Sequence, residues 1–213
     1  LKVDEEGNAL SGVILEVRDK DSNTLIDRWE TDGKAHTISG LTEGVTYILS
    51  EISAPAGYTL AKPQEFTLST TDSVTEIKIE NKQNAVTISK KALTGTDSIG
   101  GAVLRVLDAT GKEVVPKWTT EAGKDKIVTG VLKPNVTYTL EEVSAPSGYA
   151  KADNITFAVD ESGVLYVNHE KATSVVMRDA KLRLCVSKTD ITGKAELPGA
   201  VLQIIEKDSK KVV

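Results

Sequence analysis

The segment YILSEISAPAGY (Tyr47–Tyr58) returns 91 positions later as YTLEEVSAPSGY (Tyr138–Tyr149). Other segments recur with it. KVDEEGNALSGVILEVRD (Lys2–Asp19) matches KKALTGTDSIGGAVLRVLD (Lys90–Asp108) and KTDITGKAELPGAVLQIIEKD (Lys188–Asp208). Each holds a lysine, a polar turn, a Gly-Ala or Gly-Val step and then an alternating apolar stretch. Trp29-x-Thr31-x-Gly33-Lys34 recurs as Trp118-x-Thr120 with Gly123-Lys124, and Gly40-Leu41 recurs as Gly130-Val131-Leu132. Self-similarity at this period makes each copy a structural unit. The chain divides into residues 1–83, residues 84–181 and residues 182–213: two repeats and the first strands of an incomplete third. Only three residues separate Asn81 from the strand expected at Ala85. That junction is too short, and too poor in Gly and Ser, for a flexible tether, so a stiff tandem rod is expected.

Within each repeat, short runs rich in Val, Ile, Thr and Tyr alternate with turn clusters such as Glu5-Glu6-Gly7-Asn8, Thr42-Glu43-Gly44 and Asp160-Glu161-Ser162-Gly163. No stretch sustains a helical period. With aromatics at 4% of the 213 residues, the core is expected to be aliphatic. About seven strands in a unit of this size point to an all-β fold, a β-sandwich.

Strand parity then singles out three polar residues per repeat, because alternate residues share a face. Lys90 continues the apolar face of Val86 and Ile88. Asn81 continues that of Ile77 and Ile79, and Asp179 that of Val175 and Met177. Glu142 follows Val136, Tyr138 and Leu140. Glu51 stands in the same relation to Tyr47 and Leu49, although Ile48 and Ile52 blur the alternation there. Each repeat thus aims one lysine, one glutamate and one Asn or Asp at its core: Lys2, Glu51 and Asn81, then Lys90, Glu142 and Asp179. Buried charges must pair, neutralise or react. A plain ion pair with the Asn or Asp alongside, or strand-end residues reaching water, is one reading; a reactive set is the other. The recurrence favours the second, since Asn81 lies nine residues before Lys90 and Asp179 nine before Lys188.

These repeats resemble the Cna-B-type (SpaA-like) domains of Gram-positive surface adhesins and pilins. Both twelve-residue segments fit that family's E-box, Y-x-L-x-E-T-x-A-P-x-G-Y, with Ile52 and Val143 in place of its threonine. The resemblance covers essentially the whole chain. It implies tandem transthyretin-like, inverse-immunoglobulin β-sandwiches. It also implies an intramolecular isopeptide bond from Lys2 to Asn81 and from Lys90 to Asp179, promoted by Glu51 and Glu142. Lys188 has no partner set within the chain. The role so implied is a structural stalk, extracellular and anchored to the cell wall of a Gram-positive bacterium, with neighbouring domains or subunits of the same fibre as partners. The alternative is an adhesive module that binds host matrix protein or glycan directly.

The chemistry suits these residue types. A dry site favours the uncharged amine, which is the nucleophilic form of lysine. A carboxyl there can polarise the target carbonyl and relay protons. Attack on Asn81 releases ammonia and attack on Asp179 releases water, each once, so this is self-crosslinking without turnover. Only Leu1 precedes Lys2, so most of the strand that would carry Lys2 is expected to be missing, and both chain ends read as cut from something longer. Gly57 and Gly148 suit a turn position with positive φ.

Other classes find little support. The net charge of −5 is mild and interspersed, unlike the basic footprint of a nucleic-acid binder. No apolar run reaches the ~20 residues of a membrane helix. One cysteine, Cys185, provides neither a disulfide framework nor a multi-cysteine metal site; its parity is opposite to Leu184 and Val186, facing it outward. His36 and His169 fall at non-equivalent places and lack an evident catalytic or metal partner set. No cofactor or metal is expected. Neither a sorting signal, a signal peptide nor a pilin lysine motif is recognisable.

Overall fold

The structure, a computed structural model, describes residues 1–69 and 75–212. It separates into two compact units, Leu1–Lys181 and Leu182–Val213. The first unit carries all the named strands. They are β1 (Lys2–Asp4), β2 (Ser11–Asp19), β3 (Leu25–Asp32), β4 (Thr46–Ser53), β5 (Gln64–Thr67) and β6 (Ile79–Asn81) in the first repeat. The second repeat adds β7 (Ala85–Ala92), β8 (Val103–Leu107), β9 (Glu113–Thr119), β10 (Lys126–Thr129), β11 (Tyr138–Ser144), β12 (Ile155–Val159), β13 (Leu165–Val167), β14 (Glu170–Ala172) and β15 (Val175–Asp179).

Each repeat pairs its first and last strands in one sheet and builds the other sheet from the strands between. In the first repeat β1 runs parallel to β6, and the second sheet has the order β3-β2-β4-β5. In the second, β7 lies between β10 and β15, parallel to β15, and the other sheet has the order β14-β13-β12-β11-β8-β9. The all-β expectation holds, and the tandem sandwiches are built from alternating strands whose apolar residues face inward. Val13, Leu15, Val17, Tyr47, Leu49 and Ile79 form the first core. Leu104, Val106, Leu140, Phe157, Val175 and Met177 are among those forming the second.

The number of strands departs from about seven in both directions: six in the first repeat and nine in the second, among the described residues. Part of the excess is the hairpin β13–β14, turned by Asn168 and His169, both at positive φ. Such a two-residue turn matches the twist of an antiparallel pair. Strand β10 pairs with Ala85–Ile88, the residues two to five positions before Lys90. The matching segment of the first repeat, around His36–Ile38, belongs to no strand.

Repeat-to-repeat equivalence extends to single hydrogen bonds. The Val13 and Ala102 amides donate to the hydroxyls of Thr31 and Thr120, each at 3.1 Å. The Thr42 and Lys133 amides donate to the phenol oxygens of Tyr47 and Tyr138 at 2.9 and 2.8 Å. These bonds explain the recurring threonine after tryptophan and the E-box tyrosine: each is a buried or half-buried clamp on a neighbouring backbone amide.

In the second unit the alternating strand expected after Gly199-Ala200 does not form. Residues 182–212 hold only the bridges Thr189–Glu196 and Ile205–Val212, and Leu184, Val186 and Val201 are exposed. The polar turn does form. Leu197 N–H donates to the Lys188 carbonyl at 2.8 Å, as Leu10 does to Lys2 and Ile99 to Lys90. A local turn needs no partner, whereas a strand without a sheet to join has no ladder and no core to bury its apolar face against.

Candidate functional site

Parallel register sets the geometry of both triads. Lys2 lies opposite Ile79 on the neighbouring strand, and Asn81 follows two residues on, on the same face. Lys90 lies opposite Met177, and Asp179 follows two residues on. The glutamates come from the opposing sheet, Glu51 on β4 and Glu142 on β11. Each triad therefore bridges the two layers of its sandwich. All six side chains are buried, with Asn81, Glu142 and Asp179 at 0% exposure.

In the first repeat Lys2 Nζ donates to Asn81 Oδ1 and also to the Ile79 carbonyl, the latter at 3.2 Å. Asn81 Nδ2 donates to Glu51 Oε1 at 2.8 Å, and Lys2 Nζ stands 3.9 Å from Glu51 Oε2. In the second repeat Lys90 Nζ contacts Asp179 Oδ1 and lies 2.9 Å from Glu142 Oε1. That closer approach is an ion-pair contact without hydrogen-bond alignment, because Glu142 Oε1 and Asp179 Oδ2 both lack a hydrogen-bond donor. Asp179 Oδ2 takes the place of the Asn81 amide nitrogen. A proton held there supplies the donor that the amide supplies in the first repeat.

Electrostatics agree with that placement. Burial pushes the Asp179 carboxyl above the usual aspartate range; the Lys90 hydrogen bond and charge oppose this, and Glu142 adds to it. Burial likewise brings the Lys2 ammonium below the ordinary lysine value, against the opposing pull of Glu51 and Glu80. An amine that loses its proton more readily, facing a carbonyl oxygen-bearing acceptor at contact distance in a site closed to water, is arranged for acyl transfer.

The glutamates are held from behind. Ala61 N–H donates to Glu51 Oε2 at 2.9 Å, and Ala152 N–H donates to Glu142 Oε2 at 2.6 Å. Sequence reasoning missed these two amides. Their only signal is an alanine three residues after each E-box tyrosine, and a backbone donor leaves no side-chain mark. The intervening Ala-Pro-x-Gly-Tyr segment closes as a turn, with Tyr58 N–H on the Pro55 carbonyl and Tyr149 N–H on the Pro146 carbonyl. Gly57 and Gly148 take φ of 90° and 80° there, the left-handed region that favours glycine.

Ile52 and Val143, where the E-box motif has threonine, occupy bulges. The pairing skips from Glu51 to Ser53 opposite Leu15 and Ile14, and from Glu142 to Ser144 opposite Leu104 and Val103. Each bulge lets an apolar residue point outward while the glutamate before it points in. This resolves the blurred alternation around Ile52.

The remaining residues do not join a site. Lys188 is exposed, with Nζ on its neighbour's carbonyl at 3.3 Å. His36 pairs with Asp27 at 2.8 Å and stacks on Trp29. His169 sits in the exposed hairpin turn, and Cys185 is exposed. No cluster of His, Cys, Asp and Glu suited to a metal ion occurs among the described residues. No helix among them is long and apolar enough to cross a membrane.

A family model described as "SpaA: Prealbumin-like fold domain" matches residues 1–83 and again residues 84–173. No curated protein matches the chain. Among solved structures, the shaft pilin spaA from Lactobacillus rhamnosus GG is 19% identical at a TM-score of 0.40, over 83% of this chain and 87% of that one. The C-terminal fragment of the pilus adhesin SpaC from the same bacterium is 13% identical at 0.48, over 87% and 97%. The Bacillus anthracis TIE protein is 22% identical at 0.44, over 85% of this chain and 33% of that one.

Proposed function

Because the chain belongs to the family of SpaA prealbumin-like fold domains, we propose that it forms part of the structural stalk of a cell-wall-attached surface adhesin or pilin. Its repeats are stiffened by self-made isopeptide bonds, Lys2 to Asn81 and Lys90 to Asp179. The partners are neighbouring domains or subunits of the same extracellular fibre on a Gram-positive cell. The domains are structural elements, not enzymes with turnover.

The observation that carries this reading is the doubled triad. The same three roles occur twice at the same diagonal of a parallel strand pair, with the glutamate fixed by the same backbone amide. A chance ion pair has no reason to reproduce its supporting hydrogen bond ten residues downstream.

In the first repeat the Lys2 amine attacks Asn81 Cγ. The Nζ–Cγ bond forms, the Cγ–Nδ2 bond breaks, and Glu51 carries a proton from the amine to the departing ammonia. In the second, Lys90 attacks Asp179 Cγ, a carboxyl oxygen leaves as water, and Glu142 is the relay. The fold contributes proximity and a water-poor site, each of which lowers the barrier of acyl transfer. Bonds between first and last strands place the covalent link across the ends of each sandwich, where tension enters and leaves.

Intact mass of the purified chain tests the reading. The expected value lies below that of the sequence by one ammonia and one water. A mass equal to the sequence would reduce the triads to buried polar networks and remove the basis for a self-crosslinked stalk.

A further inference from the structure

The two E-box turns are equal in sequence and backbone but not in surroundings. Gly57 is buried, whereas Gly148 is exposed. A Cβ added at Gly57 would lie 2.4 Å from the Gly130 carbonyl oxygen of the second repeat; one added at Gly148 would meet nothing within 4 Å. Gly57 N–H donates to the Leu132 carbonyl at 3.0 Å, and Asn84 N–H donates to the Gly57 carbonyl at 2.8 Å. Asn84 Nδ2 reaches the same Leu132 carbonyl at 2.6 Å, and Gly130 N–H returns to the Asn84 carbonyl. Two residues past the turn, Leu60 N–H donates to the Glu161 carbonyl at 2.6 Å. A Cβ at Gly163 would meet the Thr59 methyl at 2.8 Å.

We propose that the Ala-Pro-x-Gly-Tyr turn has a second role, as a plug seated in the following repeat that fixes the angle between the two domains. The seat comprises the Gly130–Leu132 segment and the Asp160–Gly163 turn. It fits an incoming turn for a physical reason: the Gly57 backbone meets the Gly130 backbone, so only a glycine at position 57 allows the approach, and the bonds across the junction are peptide N–H to peptide carbonyl. Recognition of this kind runs through the backbone, with the Asn84 side chain bracing the Leu132 carbonyl, and so can recur between any two such repeats. The seat's counterpart in the first repeat, Gly40-Leu41, carries Gly40 at a φ of 76° with nothing within 4 Å. The partner of this surface is therefore another repeat of the same kind, bound head to tail. The short Lys82–Asn84 linker holds plug and seat together at high effective concentration, so few bonds are enough. This inference does not rest on the isopeptide bonds.

Gly57→Ala and Gly148→Ala in the full chain make a matched test. Both place alanine at the same positive φ, and only the first pushes a methyl into a neighbouring domain. The readouts are amide hydrogen exchange at Gly130 and Leu60 and the maximum dimension from small-angle scattering. Gly57→Ala is expected to speed junction exchange by about tenfold or more and to broaden the distance distribution; Gly148→Ala leaves both at the parent values. Asn84→Ala, which keeps the Asn84 N–H bond to Gly57 but removes the side-chain bond to the Leu132 carbonyl of the seat, is expected to loosen the junction as well. Junction exchange that stays at the parent rate in Gly57→Ala, or that rises equally in Gly148→Ala, would overturn the proposal. Intact mass on the same samples reports the crosslinks separately, so a failure of one reading cannot be taken for a failure of the other.

Discussion

Glu51 Oε1 accepts its hydrogen bond from Asn81 Nδ2 at 2.8 Å, so the glutamate grips the amide by the nitrogen that would have to leave. In Glu51→Ala the ammonia is expected to stay on the chain while the water of the second repeat is still lost. Peptide mapping then finds the Lys90–Asp179 branch alone. Loss of both leaving groups in that variant would show that Glu51 has no part in the reaction.

The two bonds should respond to pH with opposite sign. Burial raises Asp179, so the folded, unlinked second repeat gains stability from the protonated carboxyl below the ordinary aspartate value. That contribution is lost as pH rises through the raised value, and closure of the second bond should slow over the same window. The first repeat has an amide acceptor with no such titration. Burial lowers Lys2, so its neutral amine becomes more abundant, and the first bond faster, as pH rises toward that lowered value. Chain made by cell-free synthesis, released into buffers of different pH and sampled by mass, separates the two because their leaving groups differ.

Removing the lysine should be worse than removing the aspartic acid. Lys90→Ala leaves Glu142 and Asp179 buried together without a positive partner, and the cost of stranding a buried charge is about 3–5 kcal/mol. Asp179→Ala also forbids the bond but leaves the Lys90–Glu142 pair at 2.9 Å. Denaturant melts of the two are expected to place Lys90→Ala lower. The reverse order would mean that the second triad is not organised around the lysine.

Tyr138→Phe removes the oxygen that accepts from the Lys133 amide at 2.8 Å. The expected loss is about 1 kcal/mol, read as a lower midpoint in denaturant with an unchanged slope. Tyr47→Phe should cost a similar amount in the first repeat, through the Thr42 amide. A loss confined to one of the two would break the equivalence of the repeats.

Much of this was legible in the sequence because strands obey a two-residue period. Parity alone placed Lys90 with Val86 and Ile88 and Asp179 with Val175 and Met177, and the structure buries all six. Parity is blind to a bulge, which is why Ile52 confused the face to which Glu51 belongs. It is blind to backbone donors as well, and so could not find the Ala61 and Ala152 amides. The β13–β14 hairpin escaped because the first repeat shows no counterpart among its described residues. The seat of Gly57 against Gly130 escaped for the opposite reason: alignment of repeats treats each as separate, and this contact exists only between them. The third copy misled in its strand, since a pattern that forms a turn by itself forms a strand only with neighbours.

The parallel pairing of first and last strands has one further consequence. If both proposed bonds close, load entering at Lys2 crosses directly to Asn81 and load entering at Lys90 crosses directly to Asp179. Of the chain between Lys2 and Asp179, only the eight residues between Asn81 and Lys90 remain in series with the force. Fully drawn out, they span about 30 Å. In the proposed stalk, a tethered cell would then hang on a line with almost no hidden length. Such a line does not lengthen under a sudden pull or convert the work of pulling into unfolding, so it passes each jolt undamped to whatever grips its far end.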